Sequence, residues 1–370
     1  MDVLITIDYF KQKSKSLSVN NKDKMWDVFD DKFWECVVND LSNFRRNGLS
    51  CGIEIGLLQS DRHKIIGSGT LLPHKYTQDY TEQLKRRLNC LLQIVPLEFI
   101  ASKLEFVVGN PQHTTINGMT INTNDLYNIY DSWQILRVIE QLGWCLTDTD
   151  SKTNKKVTFL EIGGGFGCLA HKLLKGNKGI RYISIDLPET LVLQHYYLSS
   201  LHPELKISLA FDGNINDVDV LLLTPIEAFK VLSNDNNNID INIAIQTRGF
   251  SEMNAHTLDE YFGLIQRNIK DNCLFYLGCE RYIAYRGESK IGIRDYPFDD
   301  DWTILISQPS FLATHGHDFM LMRKKPIIPF TKVLQTFPVV TPPPGPLTVN
   351  YSNNIESWIY NNKVPMEDLL

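Results

Sequence analysis

Short apolar runs alternate with helical stretches from Lys156 onward, and this alternation constrains the fold more than any other feature. The runs are Val157–Ile162, Tyr182–Ile185, Val218–Leu223, Ile239–Ile245 and Cys273–Leu277. Helical spacing separates most of them, notably in Pro188–Leu201 and Asn254–Ile269. Near-continuous apolar strands that alternate with helices are typical of a parallel sheet covered on both faces. The sequence therefore predicts an α/β fold with a mostly parallel sheet.

Residues 1–150 are predicted to form a mainly helical region. Met25–Arg45 and Tyr76–Val95 carry apolar side chains three and four positions apart, which is the spacing of one helix face. Asn124–Asp125 resembles a helix start, and Gly109–Pro111 must bend. We expect this region to act as a substrate lid or as a homodimer contact.

Two further regions follow. Residues 151–330 are predicted to form the sheet domain, with Thr303–Ser307 and Asp318–Arg323 as an antiparallel edge. Residues 331–370 contain a proline-rich stretch from Pro338, which predicts an extended linker and a short tail.

Charge and cysteine usage narrow the class of protein. The net charge of −6 and the absence of a strong basic stripe argue against a nucleic-acid partner. We interpret Lys85–Arg87, together with Arg45 and Arg46, as solvated helix surface. The 7 cysteines are scattered without a CxxC pair, as in reduced cytosolic proteins.

No apolar run approaches the length that spans a bilayer, and the start of the chain lacks the basic-then-apolar plan of a signal peptide. We therefore expect a cytoplasmic protein that does not associate with membranes.

A glycine-rich turn follows the first strand of the sheet domain. The buried strand Val157–Ile162 leads directly into Gly163–Gly167, and Leu169–Leu174 then has helical spacing. Glycine permits a left-handed turn and lets the backbone approach a ligand closely. In an open α/β sheet such a turn faces the ligand crevice.

Two ligands fit this turn to different degrees. The dinucleotide pattern G-x-G-x-x-G/A fails when started at Gly163, because Cys168 takes its last position. It fits only in a displaced register from Gly165 to Ala170. The alternative pattern, acidic-x-G-x-G-x-G, is satisfied in full from Glu161. That pattern suits S-adenosylmethionine (SAM), which carries an ammonium and a sulfonium group and no phosphate.

Asp186 lies at the end of the next predicted strand, nineteen residues after Gly167. A carboxylate there can accept hydrogen bonds from both ribose hydroxyls, which SAM and NAD share. Its alternative role is to cap the helix that Pro188 opens.

These residues resemble known families. Leu160–Gly167 resembles motif I of class I, Rossmann-like SAM-dependent methyltransferases. More narrowly, Ile185–Thr190 and Arg248–Met253 resemble segments of the sugar O-methyltransferases, as does Gly109–Pro111. Members of that family typically carry Asn-x-x-Ser-x-x-Glu-Met where this chain opens the segment with Gln246.

The general methyltransferase resemblance covers about Val157 to Arg323. It implies a Rossmann-like domain that binds SAM and yields S-adenosylhomocysteine. We expect no required metal, because apart from the histidine cluster discussed below no ligand set has obvious spacing. It also places the Val218–Thr224 strand end near the adenine. The predicted cofactor-binding residues are Glu161, Gly163, Gly164, Gly165, Phe166, Asp186, Leu187, Thr224 and Gln246.

The turn after Ile239–Ile245 carries the predicted catalytic residues. Transfer of a methyl group to an alcohol needs alignment of the reactants and a base that removes the proton. Glu252 is the first candidate for that base, although an acid there also suits a helix start. His256 is the second, because its ordinary pKa is near neutrality. Arg248 could bind a polar substrate group or form an ion pair, and Ser251 is predicted to contact the substrate.

A second cluster, Thr314–Asp318, contains His315 and His317. Its histidines could ligate a metal or place one imidazole in the pocket as a base, and a hairpin turn with exposed imidazoles is preferred over metal binding. Both histidines, like Tyr282, are predicted to contact the substrate. Stacking on a sugar face, with core packing as the alternative, is considered for Tyr282, Tyr285, Trp302 and Phe311.

The leading hypothesis is a SAM-dependent O-methyltransferase that acts on a saccharide, a nucleotide sugar or another sugar-bearing small molecule. A second is a SAM enzyme of a biosynthetic pathway with another acceptor, including N- or C-methylation or cyclisation. A third is an NAD-dependent oxidoreductase, disfavoured because Tyr261 is followed by Ile265 where a Tyr-x-x-x-Lys pair needs lysine. A binding module without activity is the fourth.

Overall fold

A computed structural model describes most of the chain. The described residues are 3–17, 31–45, 74–105, 107–111, 113–146, 156–209, 217–233, 239–280, 292–310 and 316–337. The chain divides into two compact units, Met1–Ile243 and Ala244–Leu370. The predicted proline-rich linker from Pro338 and the short tail lie outside the described residues.

Helices dominate the first part of the first unit, as predicted. They are α1 (Val3–Leu17), α2 (Asp31–Asp40), α3 (His74–Leu91), α4 (Leu97–Lys103) and α5 (Thr123–Gln141). The helix expected over Met25–Arg45 ends at Asp40 in its described part, because a 3-10 turn takes over at Leu41–Asn43.

A small hairpin in this region was not predicted. Strands β1 (Thr114–Ile116) and β2 (Met119–Ile121) pair antiparallel. Asn117 and Gly118 join them with φ values of 51° and 79°, the left-handed pair of a tight hairpin turn. The Asn-Gly dipeptide between apolar residues was the signal for it.

The start of α5 differs slightly from the expectation. The cap is Asn122 rather than Asn124–Asp125, because the Asn122 side chain accepts a hydrogen bond from the Asp125 N–H at 2.9 Å. A side-chain acceptor at this position satisfies a backbone donor that the helix leaves unpaired.

Strands and helices then alternate. The elements that complete the first unit are β3 (Val157–Ile162), α6 (Cys168–Leu174), β4 (Ile180–Ile185), α7 (Pro188–Leu201), β5 (Ile207–Leu209), β6 (Val220–Leu223), α8 (Pro225–Leu232) and the beginning of β7 (Ile241–Thr247). The second unit continues with the 3-10 helices Gly249–Glu252 and Ile293–Asp295, α9 (Ala255–Asn268), β8 (Ile269–Glu280), β9 (Trp302–Pro309), β10 (Gly316–Arg323) and α10 (Phe330–Leu334).

The sheet has eight strands in the order β5-β6-β4-β3-β7-β8-β10-β9. Strand β4 pairs parallel with both β3 and β6, and β5 pairs parallel with β6. Strand β10 pairs antiparallel with β8 and with β9, so the predicted antiparallel edge is confirmed. The predicted α/β class with a mostly parallel sheet is therefore confirmed.

Two arginines that were predicted to lie on the surface are buried. Arg45 and Arg87 were expected on solvated helix surface, but they are only 2% and 7% exposed. Each guanidinium lies over an aromatic ring, so the planar cation replaces part of its lost hydration with the face of the ring.

The cysteines and the helix lengths can be compared with the sequence over the described residues. None of the six described cysteines forms a disulfide. Among the helices that the structure describes, none is both long and apolar enough to cross a membrane.

A buried ion pair ties α5 to α6. The Lys172 Nζ atom lies 2.6 Å from Asp125 Oδ1, and both side chains are fully buried. The other carboxylate oxygen accepts a hydrogen bond from the Asn122 amide at 2.6 Å. Both oxygens of Asp125 are therefore satisfied, as a buried charge requires.

We expect Lys172→Met to destabilise the first unit by about 3–5 kcal/mol, because it leaves the buried Asp125 carboxylate without its cation. The double variant Lys172→Met/Asp125→Asn should recover part of that loss, since neither charge is then buried alone. Urea unfolding of both variants measures the difference. A single variant as stable as the wild type would contradict the importance of the pair.

Candidate functional site

The glycine turn after β3 has the geometry that its sequence predicts. Gly163, Gly165 and Gly167 have φ values of 76°, 57° and 91°, which L-residues with side chains rarely adopt. The Gly163 N–H donates to the Ile185 carbonyl at 2.8 Å, which joins the turn to the end of β4. A Cβ atom at Gly165 would meet no atom of the described residues within 4 Å, so the turn opens to free space on that side of the described structure.

Gly164 is required for a different reason. A Cβ atom at this position would lie 2.5 Å from Glu161 Oε2 and 2.8 Å from Ser184 Oγ. No larger residue fits without displacing these groups. The backbone of the turn therefore lies directly against the carboxyl group of Glu161.

The Glu161 side chain is buried on one face of the sheet. Its carboxyl accepts a hydrogen bond from the Tyr182 hydroxyl at 2.8 Å. Burial raises the pKa of Glu161 to about 8, the Tyr182 hydrogen bond opposes this, and the nearby carboxylates of Asp186 and Asp131 raise the pKa further. A cation bound beside the turn would favour the ionised form of Glu161.

Asp186, at the end of β4, makes contact with the glycine turn that follows β3. Its carboxylate accepts hydrogen bonds from the N–H groups of Gly165 and Leu187, both at 2.7 Å, and from the Thr190 side chain. Desolvation of the half-buried carboxyl raises its pKa to about 6, against the effect of these donors. The Thr190 contact links Asp186 to the first turn of α7, whose cap position is Leu187. Helix capping and ribose binding both stay predictions for Asp186.

The remaining predicted cofactor residues of the first unit are placed as follows. Phe166 is 5% exposed, so its ring points into the protein. Leu187 is half-buried and precedes Pro188, the first residue of α7. The Thr224 hydroxyl donates to Glu227 Oε2 at 2.7 Å, which supports the start of α8. Their contacts with a cofactor stay predictions.

Sequence reasoning missed three polar side chains around Glu161. Tyr182 and Ser184 alternate with apolar residues along β4, and Asp131 is fully buried on α5. The Ser184 hydroxyl is buried without a hydrogen-bond partner among the residues that the structure describes. Polar residues at every second position of a buried strand, ending at Asp186, were the available signal.

In the second unit, the end of β7 is unusually shaped. Arg248 is left-handed with φ of 68°, although it is not glycine. Its N–H donates to the Gly278 carbonyl at 2.7 Å, which fixes this conformation. The Gln246 amide, oriented with its oxygen towards the turn, accepts from the N–H groups of Gly249 and of Phe250, the latter at 2.7 Å. Strained backbone of this kind is concentrated at functional sites.

The other predicted catalytic and substrate residues of this segment lie just after Arg248 in the chain. Ser251 and Glu252 lie in the 3-10 helix Gly249–Glu252. His256 is exposed in the first turn of α9, which Asn254 caps by accepting from the Thr257 N–H at 2.9 Å. The roles of Ser251, Glu252 and His256 stay predictions.

His317 differs from the expected exposed imidazole of a hairpin turn. His317 is in β10 and is only 7% exposed, because the strand begins one residue earlier. Its Nε2 atom lies 2.9 Å from Ser307 Oγ. His315, Tyr282, Tyr285 and Phe311 lie outside the described residues. In the described ranges, no group of three or more His, Cys, Asp or Glu side chains is placed to hold a metal ion.

Trp302 does not offer a face to a sugar. It is 1% exposed and packs against Phe275 and Phe298 at ring-centroid distances of 5.8 and 6.1 Å. The core alternative is therefore correct for this residue.

Comparisons with known proteins give similarities of low score. No protein-family profile and no curated protein sequence matches the chain. Among solved structures, the mitomycin 7-O-methyltransferase MmcR is similar to this chain with a TM-score of 0.32 and 12% identity, over 54% of this chain and 57% of that protein. An O-methyltransferase family 2 protein from Planctomyces limnophilus, in complex with apigenin, is similar with a TM-score of 0.32 and 9% identity, over 54% of this chain and 65% of that protein.

Phosphoethanolamine N-methyltransferase 2 from Haemonchus contortus, in complex with S-adenosyl-L-methionine, gives a TM-score of 0.26 and 16% identity, over 40% of this chain and 28% of that protein. The chain thus spans less than two thirds of the length of all three proteins. Scores this low assign neither a family nor an activity, so the function has to be argued from the residues of the site.

The buried Glu161 carboxyl predicts a pH-dependent stability. Because its pKa is raised in the folded protein to about 8, the folded state holds its proton more tightly than the unfolded chain does. Stability should therefore fall as pH rises from about 4.5 towards 8, by at most about 1.4 kcal/mol per pH unit. Glu161→Gln should lack this loss and exceed the wild type in stability at pH 8.

Denaturant unfolding between pH 5 and 8.5, without added ligand, measures this. Glu82, whose side chain is 55% exposed on α3, provides the matched control. We expect Glu82→Gln to follow the wild-type profile. Parallel profiles for Glu161→Gln and the wild type would show that burial of Glu161 does not retain a proton.

The left-handed conformation of Arg248 gives a separate prediction. We expect Arg248→Gly to be more stable than Arg248→Ala by about 1 kcal/mol, because only glycine adopts this φ without steric cost. Thermal and urea unfolding of the two variants give the difference. Equal stability would mean that this position does not require positive φ.

Proposed function

We propose that the chain is a SAM-dependent methyltransferase whose cofactor binds at the carboxyl ends of β3 and β4. The observation that carries the proposal is the contact between the glycine turn and Asp186, whose carboxylate accepts a hydrogen bond from the Gly165 N–H. Asp186 retains acceptor capacity for ribose hydroxyls, because each carboxylate oxygen accepts more than one hydrogen bond. The free space at Gly165 allows a ligand to approach the backbone.

The charge of the turn favours SAM over a dinucleotide. A dinucleotide would bring its pyrophosphate against the glycine backbone, and Gly164 there lies on the Glu161 carboxyl. Without ligand the Glu161 carboxyl holds a proton below its raised pKa of about 8, and a pyrophosphate beside it would favour that protonated form. The ammonium and sulfonium groups of SAM would instead favour the ionised form, which attracts them. The buried Asp131 and the half-buried Asp186 add to the same potential. The residues of the turn therefore fit SAM better than NAD.

Bound SAM would supply a methyl group activated by its sulfonium sulfur. The protein would then hold the acceptor in line and remove its proton. For the base we propose Glu252 or His256, and for orientation of the acceptor Arg248 with Ser251. Gln246 would support this segment by fixing the turn at Gly249 and Phe250.

For the acceptor we propose the hydroxyl group of a sugar, a nucleotide sugar or a related small molecule in the cytoplasm. This rests on the likeness of Ile185–Thr190 and Arg248–Met253 to the sugar O-methyltransferases. The alternative is a different acceptor in a biosynthetic pathway, with methylation at nitrogen or carbon or another use of the sulfonium. A proton-accepting side chain after β7 favours a hydroxyl acceptor over one that needs no base.

Calorimetric titration with SAM tests the proposal. We expect saturable binding to the wild type, and Asp186→Asn should bind SAM about tenfold to a hundredfold more weakly, because it loses charge-assisted hydrogen bonds to the ligand. Asp217, whose side chain is 76% exposed, provides the matched control, and Asp217→Asn should bind as the wild type does. NAD should not bind measurably.

Product analysis then separates the acceptors. Incubation of nucleotide sugars with labelled SAM, followed by mass spectrometry, should show the gain of one methylene unit on a sugar. A fragmented or cyclised SAM product would instead favour the alternative. Failure of the well-folded protein to bind SAM at high micromolar concentration would refute the methyltransferase itself.

A further inference from the structure

The glycine turn contains a single side chain by which the rest of the protein can hold it. Between Ile162 and Cys168, every residue except Phe166 is glycine. Glycine loses the most conformational freedom on ordering, so an otherwise unanchored turn of this composition would sample many conformations. Packing of the Phe166 ring therefore has a strong influence on how well the turn keeps its shape.

Two residues that follow α2 hold this ring. The Phe44 ring lies edge-on to Phe166 at 5.5 Å, and the Arg45 guanidinium lies 4.9 Å from the Phe166 ring centre. The Tyr197 ring of α7 also packs edge-on against Phe166, at a ring-centroid distance of 5.0 Å. The Arg45 guanidinium lies 6.0 Å from the centre of the Tyr197 ring. Phe44 and Tyr197 are fully buried and Arg45 is 2% exposed, so these contacts are shielded from water.

Arg45 is itself fixed by the bend at Gly109–Pro111. Its backbone N–H donates to the Gly109 carbonyl at 3.0 Å. A Cβ atom at Gly109 would lie 2.5 Å from the Phe44 ring and 2.7 Å from the Arg45 Cγ atom. The Asn110 amide donates to Asn43 Oδ1 at 2.6 Å. The contacts of the bend therefore fix the positions of Phe44 and Arg45, which pack against Phe166.

We propose that Arg45 is a positioning residue for the cofactor turn and acts through the Phe166 ring. The proposal rests on the proposed function for its ligand, SAM. If loss of Arg45 lets the turn leave its binding conformation, the apparent dissociation constant rises by the factor by which the binding-competent population falls. Arg45 points no atom at the cofactor in this scheme. Its effect is on affinity through the order of the turn.

The experiment compares Arg45→Met with Arg87→Met. Arg87 is the matched control, because it is 7% exposed and its guanidinium lies 5.2 Å from the Tyr127 ring centre, in a contact that does not involve the turn. Both variants should lose stability. Only Arg45→Met should weaken SAM binding, by about tenfold in calorimetry if the competent population falls to a tenth. Arg45→Lys, which keeps a cation, should recover part of the affinity.

Hydrogen exchange provides a readout that does not depend on SAM. In the ligand-free protein, Arg45→Met should speed exchange of the Gly165 and Gly167 amides, whose hydrogen bonds to Asp186 and Gly164 define the turn. Arg87→Met should leave these two amides as protected as in the wild type. Saturating SAM, if the wild type binds it, should restore the protection in Arg45→Met.

The outcomes separate the two proposals. If the wild type does not bind SAM but Arg45→Met still deprotects the turn, the proposed function fails and the positioning role stands. Equal effects of Arg45→Met and Arg87→Met on both readouts would overturn the positioning role. Should Arg45→Met not fold, Phe166→Leu removes the contacted ring instead, and unchanged protection of the turn in that variant would equally overturn it.

Discussion

The close approach of the Gly164 backbone to the buried carboxyl of Glu161 is the constraint on which the rest of the site depends. It excludes any side chain at Gly164, because a Cβ atom would lie within 3 Å of both Glu161 and Ser184. It also sets the polarity of the turn, because the backbone at Gly164 lies against a carboxyl group. The backbone geometry and the polarity of the turn therefore have the same origin.

The surroundings of Glu161 make this arrangement energetically costly. A desolvated carboxyl has only the Tyr182 hydroxyl as its described hydrogen-bond donor, and two further acids lie near it. Structure alone gains little from this, because an apolar residue would pack at lower cost. A cationic ligand beside the turn, as proposed above, would favour the ionised form of Glu161. Raised carboxyl pKa values are accordingly concentrated at sites of binding and chemistry.

Much of the fold could be predicted from the sequence because its signals are local. The apolar run Val157–Ile162 and the helix Pro188–Leu201 appear with the predicted bounds. Their ends are marked by glycine and proline, which act through their own backbone geometry. The Asn117–Gly118 hairpin was missed although it carries an equally local signal. By contrast, the burial of Arg45 and of His317 depends on packing partners distant in sequence, and no periodicity reports it.

By itself the sequence determined the order of strands and helices, the left-handed turn and the pairing of an acid with glycines, since these follow from steric and hydrophobic preferences of neighbouring residues. Only the tertiary structure decided that Asp186 bonds to Gly165, that Glu161 lies beneath Gly164 and that Arg45 and Phe44 hold Phe166. Those contacts join segments far apart in the chain, and their free energies depend on burial and distance. Burial and distance exist only once the chain has folded.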